Sequence, residues 1–479
     1  MFLGLDLGTS GVKALLIGED QSVLAEAIAP LEVSRPKSGW SEQDPADWIA
    51  ATEAALSNLA TKQDLSGVAG IGLSGQMHGA TLLDDADRPL RQCILWNDTR
   101  AHAEAAALDA APEFRARTGN IVFPGFTAPK LLWCRNNEPE VFAKIAKVLL
   151  PKDYLRLWLT GEHVSEMSDT AGTSWLNTGA RDWDDDLLAA TGLDRSHMPS
   201  LVEGSDNSGD LRADIARRFG LRPGIPIAGG AGDNAASAIG VGVVRAGQAF
   251  VSLGTSGVLF AANDGYAPDP DSALHTFCHA LPGHWHQMGV ILAATDALSW
   301  YGSLVGQTPA SLTDALGRLQ APGNALFLPY LGGERTPHND ARIRGALIGL
   351  DHATDQTAGT RAVLEGVVFA FRDCLSAMHA TGTNVSQVIA VGGGAASTYW
   401  LEAIATALDL PVAVPAKGDF GAAFGAARLA MMAAGQGGAE LAHPPEITSI
   451  IEPNASLTQA FNDSYHRYRA TYRALKELP

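Results

Sequence analysis

Leu7-Gly8-Thr9-Ser10-Gly11-Val12 recurs, residue for residue, as Leu253-Gly254-Thr255-Ser256-Gly257-Val258 in a chain of 479 residues. The second copy begins a little past the midpoint. One glycine-rich turn in each half predicts two related domains facing one another. Each would present a loop of backbone N–H groups of the kind that cradles phosphate. The flanks differ, because Asp6 precedes the first copy and Ser252 the second. Only the first loop therefore carries a carboxylate able to hold a metal ion beside the phosphates.

Residues 1–7 and 12–17 read as strands, so the first copy closes a β-hairpin. Residues 248–253 and 258–261 rebuild it in the second half. A P-loop would run from a strand into a helix with G-x-x-x-x-G-K-[ST], and a dinucleotide fingerprint would need G-x-G-x-x-G. Neither is present. The cluster Gly240, Gly242 and Gly247 puts the border between domains near residue 242, giving 1–242 and 243–479. Asp44-Pro45 predicts a helix start capped by Asp44, with Trp48, Ile49, Leu56 and Leu59 on its apolar face. Residues 68–73 and 225–233 read as apolar strands running into polar or glycine-rich ends. Residues 361–379 and 457–475 read as amphipathic helices, and Ser397 as the cap of a helix holding Trp400, Ile404 and Leu408.

Composition narrows the function. Net charge is −18 and the isoelectric point is near 5.1, which argues against nucleic acid or an anionic membrane as partner. A nucleotide remains compatible, since backbone amides and Mg²⁺ neutralise phosphate locally. Cys93, Cys134, Cys278 and Cys374 are scattered without a C-x-x-C pattern, as suits a reducing cytoplasm. No signal peptide is visible, and no run of about 18 apolar residues predicts a membrane span.

The candidate chemistry lies at a few positions. Asp6 ends a buried strand beside the first turn, where it serves either as a turn residue or as an Mg²⁺ ligand. Lys13 is a solvated strand residue or a point charge on the β- or γ-phosphate. Asp233 precedes Asn234-Ala235-Ala236-Ser237 and would cap a helix. It also follows Ala228-Gly229-Gly230-Ala231-Gly232, a run that lets a ligand approach closely. A carboxylate there can accept a proton from a substrate hydroxyl, and phosphoryl transfer asks little of its base until late. His78 and Trp96 taken alone read as core or turn residues. Trp96-Asn97-Asp98 does set an aromatic face beside polar groups, as sugar sites do.

Together these stretches resemble the FGGY carbohydrate kinases. Gly4 to Lys13 is similar to the family's first phosphate motif and Leu253 to Gly257 to its second. Val391-Gly392-Gly393-Gly394-Ala395 is similar to its adenosine motif, and Phe126 to Trp133 to a further signature. Five segments look specifically like the bacterial xylulokinase branch: Trp40 to Pro45, Gly75 to Thr81, Leu95 to Asp98, Leu149 to Tyr154, and Gly333 to His338. The resemblance implies an α/β fold of duplicated actin-like, ribonuclease-H-like domains flanking a catalytic cleft. It implies ATP- and Mg²⁺-dependent phosphorylation of D-xylulose, or a related ketose, at O5. Asp233 would be the catalytic base and Asp6 the residue near Mg²⁺. Met77, His78, Asn234, Trp96 and Asp98 would form the sugar pocket. Gly8, Thr9, Ser10, Lys13, Gly254, Thr255, Gly393, Gly394 and Thr398 would bind nucleotide. Cys134 departs from the signature, which usually has a larger apolar residue there.

Three rivals follow from the same residues. Another FGGY kinase could act on a different ketose or polyol, although Met77-His78 stands where glycerol kinases carry an Arg-Glu pair. A non-catalytic actin- or chaperone-like ATPase would share the hairpins but need neither Asp233 nor the 76–81 segment. A sugar sensor could dispense with Asp6 or Asp233. A homodimer is left open.

Overall fold

The computed structural model describes residues 1–416, 418 and 420–477. Two mixed sheets of seven strands each dominate it. The first is built around Phe2–Leu7, which is buried along nearly its whole length. Such burial on both faces is what a central strand of an α/β sheet requires. Phe2–Leu7 pairs antiparallel with Gly11–Ile17, which pairs antiparallel with Val23–Pro30. On its other side it pairs in parallel with Gly70–Gly75, followed by Pro226–Ala228 in parallel and Asn207–Asp210 antiparallel.

The second sheet repeats this plan. Gln248–Leu253, Gly257–Asn263 and Trp285–Ile291 form the antiparallel meander. Gln387–Val391 and Val412–Pro415 add in parallel, and Ile447–Ile451 closes the edge antiparallel. His275–Cys278 is an extra strand beyond Trp285–Ile291. This is the duplicated α/β architecture that the resemblance implies.

The two hairpins are not copies in detail. In the first, Leu7 faces Val12, leaving four residues in the turn. In the second, Leu253 faces Gly257, leaving three. Lys13 therefore lies opposite Asp6, whereas the partner of Ser252 is Val258 and not Leu259. A one-residue change of register moves side chains to the other face of a strand.

One element joins the halves. Helix Ala422–Ala433, from late in the chain, lies on the first sheet rather than the second. Its carbonyls come so close that a Cβ on Gly4 would sit 1.9 Å from Ala423 O, and one on Gly72 would sit 1.8 Å from Ala426 O. The same helix meets Asp233–Val241, where a Cβ on Gly425 would sit 1.8 Å from Ala236 O. Glycine on the sheet and alanine on the helix make this approach possible.

Several local expectations hold. Asp44 accepts from Ala46 N at the start of helix Pro45–Lys62. Ser397 accepts from Trp400 N at the start of Thr398–Leu408. The long helices span Gln356–Ala380 and Thr458–Lys476. Asp233 is not a cap, however. Gly232 occupies the N-cap position, and Asp233 is the first residue of helix Asp233–Val241. No helix among the described residues is long and apolar enough to cross a membrane.

Candidate active site

Three parallel strands deliver the central carboxylates. Gly70–Gly75 pairs with Phe2–Leu7 on one side and with the short strand Ala231–Gly232 on the other. Asp6 and Asp233 are thus brought to the carboxyl ends of the two strands that flank Gly70–Gly75, where open α/β sheets bind ligands. Asp233 uses Oδ1 to accept from Asn234 N at 2.7 Å and from Asn234 Nδ2 at 3.0 Å. Its Oδ2 makes no hydrogen bond among the described residues. Burial raises the Asp233 carboxyl above its ordinary range, against the two bonds from Asn234. Asp6 is raised to about 6, first by burial and then by the charge of Asp233. Asp6 Oδ1 is buried without a hydrogen-bond partner. A buried, unpartnered carboxylate oxygen beside a second acid is an environment that a divalent cation would relieve, so these residues fit Mg²⁺.

Each turn is held by its own anchors. Gly8 N donates to Gly11 O, and Leu31 N binds Ser10 O. Gln43 Nε2 donates to Thr9 O at 2.7 Å. The second turn is held by its carbonyls: Thr295 N and Ala294 N donate to Gly254 O and Thr255 O, and Thr295 Oγ1 donates to Gly254 O at 2.8 Å. The amides of Thr9, Ser10, Thr255 and Ser256 donate to no acceptor among the described residues, which leaves them for an anion. Lys13 forms an ion pair with Glu26 at 2.9 Å. Beside the second turn lies a cavity of about 590 Å³, lined by Thr295, Leu298, Ser299, Ala310, Thr313, Asp314, Gly393, Gly394 and Thr398.

Met77 and His78 fill a space left by two glycines. A Cβ on Gly232 would sit 2.9 Å from Met77 Sδ, and one on Gly172 would sit 2.3 Å from His78 Cε1. His78 Nδ1 lies 2.7 Å from Gly172 O, and its ring stacks on Phe126 at 4.5 Å. Burial, reinforced by Lys130, pushes His78 down to about 3. The ring is therefore neutral. With Nδ1–H donating to the carbonyl, Nε2 is left as an acceptor. Lys130 Nζ donates to His78 O at 2.7 Å and is itself lowered to about 7 by burial.

Two predicted sugar residues are engaged by the scaffold. Trp96 is 46% exposed and donates from Nε1 to Thr9 Oγ1 at 3.0 Å, bracing the first turn. Asp98 is 1% exposed. Its Oδ2 accepts from Ser41 N at 2.6 Å and its Oδ1 from Arg100 Nε at 2.9 Å, with Arg100 Nη2 completing the pair. Both oxygens are taken up by the scaffold, so Asp98 belongs to the wall behind the site. Residues that the sequence left without a role include Gln43 and Gln76. Gln76 Nε2 donates to Gln43 Oε1 at 2.9 Å, and Thr9 Oγ1 donates to Gln76 Oε1 at 3.2 Å. The segment Gly75 to Thr81 marked the place, but only the fold reveals that its glutamine steadies a turn near the amino terminus.

Residues 1–240 match the N-terminal domain of the FGGY family of carbohydrate kinases, and residues 249–434 match its C-terminal domain. The chain is 47% identical to a xylulose kinase of Escherichia coli (strain K12), covering 100% of this chain and 97% of that protein. It is 36% identical to a xylulose kinase of Bacillus subtilis (strain 168), covering 99% and 97%. Among solved structures it is similar to a "xyloylose kinase" from Brucella ovis, at 61% identity and TM-score 0.99, covering 100% of each chain. A xylulose kinase from Rhodospirillum rubrum superposes with TM-score 0.93 at 30% identity, covering 99% of each.

Proposed function

The chain belongs to the FGGY family of carbohydrate kinases, and we propose that it transfers the γ-phosphoryl group of ATP to O5 of D-xylulose, giving D-xylulose 5-phosphate. The observation that carries this reading is the free Oδ2 of Asp233. It stands at the end of a strand two places from that of Asp6, and on this reading the cleft is edged by the two hairpins. Residues 1–242 and 243–479 act as the two lobes of that cleft, with helix Ala422–Ala433 docked across the division.

Asp233 acts as general base. Asn234 fixes Oδ1, which orients Oδ2 toward the attacking hydroxyl, and Oδ2 takes the O5 proton as the oxygen closes on phosphorus. Met77 packs against Gly232 and so supports the strand that carries the base. Neutral His78 accepts from a sugar hydroxyl through Nε2. Thr9 and Ser10 on one side, and Thr255 on the other, offer amides to the charge spreading over the transferred group, with Gly8 and Gly254 letting the turns approach it closely. Asp6 would hold Mg²⁺, which supplies positive charge against the phosphate oxygens when bound. Gly393, Gly394 and Thr398 border the 590 Å³ cavity, which suits the adenosine. Lys13 supplies a further positive charge near the first turn. Trp96 acts by bracing Thr9.

The test is ADP release with a panel of ketoses and polyols. D-xylulose should give the highest kcat/KM. A panel in which another ketose or glycerol wins by about tenfold or more would displace the substrate assignment while leaving the kinase.

A further inference from the structure

We propose that Arg335 is the residue that recognises the C2 carbonyl of the open-chain ketose, reaching from the second half of the chain to the shelf that holds His78. The inference rests on the sugar-kinase reading. A ketopentose closes its five-membered ring through O5, so a substrate whose O5 is free to attack phosphorus must have an open C2 carbonyl. That oxygen carries lone pairs and no proton, and its natural complement is a group that only donates.

Two such groups lie near His78. Lys130 is fully buried, and its ammonium is already engaged by the carbonyl oxygen of His78. Arg335 is different. Its guanidinium lies 4.7 Å over the ring of Phe123, which meets Phe126 edge-on at 5.5 Å, and Phe126 stacks on His78. Its one hydrogen bond from the guanidinium among the described residues runs from Nη1 to His275 Nε2, at 3.3 Å. It makes no ion pair among those residues. The adjacent acid forms no ion pair with it: Glu334 Oε1 accepts from Leu292 N and from the Arg335 backbone N, and Oε2 is buried without a hydrogen-bond partner. The backbone here is tied to the second hairpin: Thr336 N donates to Val290 O, Val290 N donates to Thr336 Oγ1, and Val290 pairs with Val258. A partly buried fork with spare donors is thus held between the second turn and the His78 shelf, where a neutral carbonyl would satisfy it.

The test compares wild type with Arg335→Gln and Arg335→Lys, using D-xylulose as substrate and xylitol, its C2-reduced form, as competitive inhibitor. Arg335→Gln should lower kcat/KM for D-xylulose about 100-fold, mostly through KM. The KM for ATP and the inhibition constant of xylitol should stay within about threefold. Arg335→Lys, which keeps the charge but not the fork, should fall between the two. If xylitol weakens in step with D-xylulose, the arginine only packs on Phe123 and the proposal fails. Unchanged D-xylulose kinetics in Arg335→Gln would also overturn it. Thermal melting of each variant separates misfolding from lost recognition. A wild type silent toward D-xylulose would sink the kinase substrate and not, by itself, the arginine's position.

Discussion

Asp6 and Asp233 flank a single shared strand. Gly70–Gly75 lies between their strands, with Ser74 in register with Asp6 on one side and with Ala231 on the other. The charge of Asp233 adds to burial in raising Asp6. Under the proposed mechanism these two acids on one ledge, Asp6 with an orphaned oxygen and Asp233 with an oxygen unbonded among the described residues, would divide the work between a cation and a proton.

Replacing Asp233 by Asn keeps the shape and an acceptor oxygen for Asn234 but removes the charge and the base. Phosphoryl transfer should fall about 1,000-fold or more. Calorimetry should still detect D-xylulose binding. A coupled ADP assay reading within a few-fold of wild type rejects Asp233 as base.

Asp6→Asn removes the orphaned carboxylate from the ledge. The Mg²⁺ concentration for half-maximal rate should rise about tenfold or more, while the KM for D-xylulose changes little. Titrating Mg²⁺ at saturating ATP measures this. An unchanged half-maximal concentration would take the metal away from Asp6.

Glu365 lies 2% exposed in helix Gln356–Ala380, its Oε1 without a hydrogen bond, and burial lifts it to about 8. A carboxyl raised on folding contributes stability that is complete below its unfolded value of 4.5 and is lost as pH climbs through about 8. Glu365→Gln should therefore flatten the decline in melting temperature between those limits, gaining about 2 °C or more at the alkaline end. Calorimetric scans across the window test it, and a variant with the wild-type slope contradicts it.

Gly72→Ala forces a methyl onto the backbone of helix Ala422–Ala433. It should cost about 3 kcal/mol or prevent folding. Gly265→Ala, where a Cβ meets nothing within 4 Å, should leave the melting temperature unchanged. Equal behaviour of the two variants would mean that the close contact is not a constraint.

Much of this was readable before any coordinates. The repeated hexapeptide located both hairpins, and the glycine run before Asp233 located the strand end that carries it. The limits are equally specific. Identical hexapeptides close with different registers, because the turn is set by the strands that flank it and by anchors such as Thr295, which lie far off in sequence. Asp98 has the composition of a sugar ligand, yet its fate depends on Arg100 and Ser41 reaching it first. The pairing of Gln43 with Gln76 joins segments that only the sheet brings together.

Helix Ala422–Ala433 also bears on synthesis. The amino-terminal lobe receives its last supporting element from near the other end of the polypeptide. Synthesis must therefore pass Ala433 before the amino-terminal lobe is complete. Fragments cut at the midpoint should leave a glycine-floored trough exposed to other nascent chains.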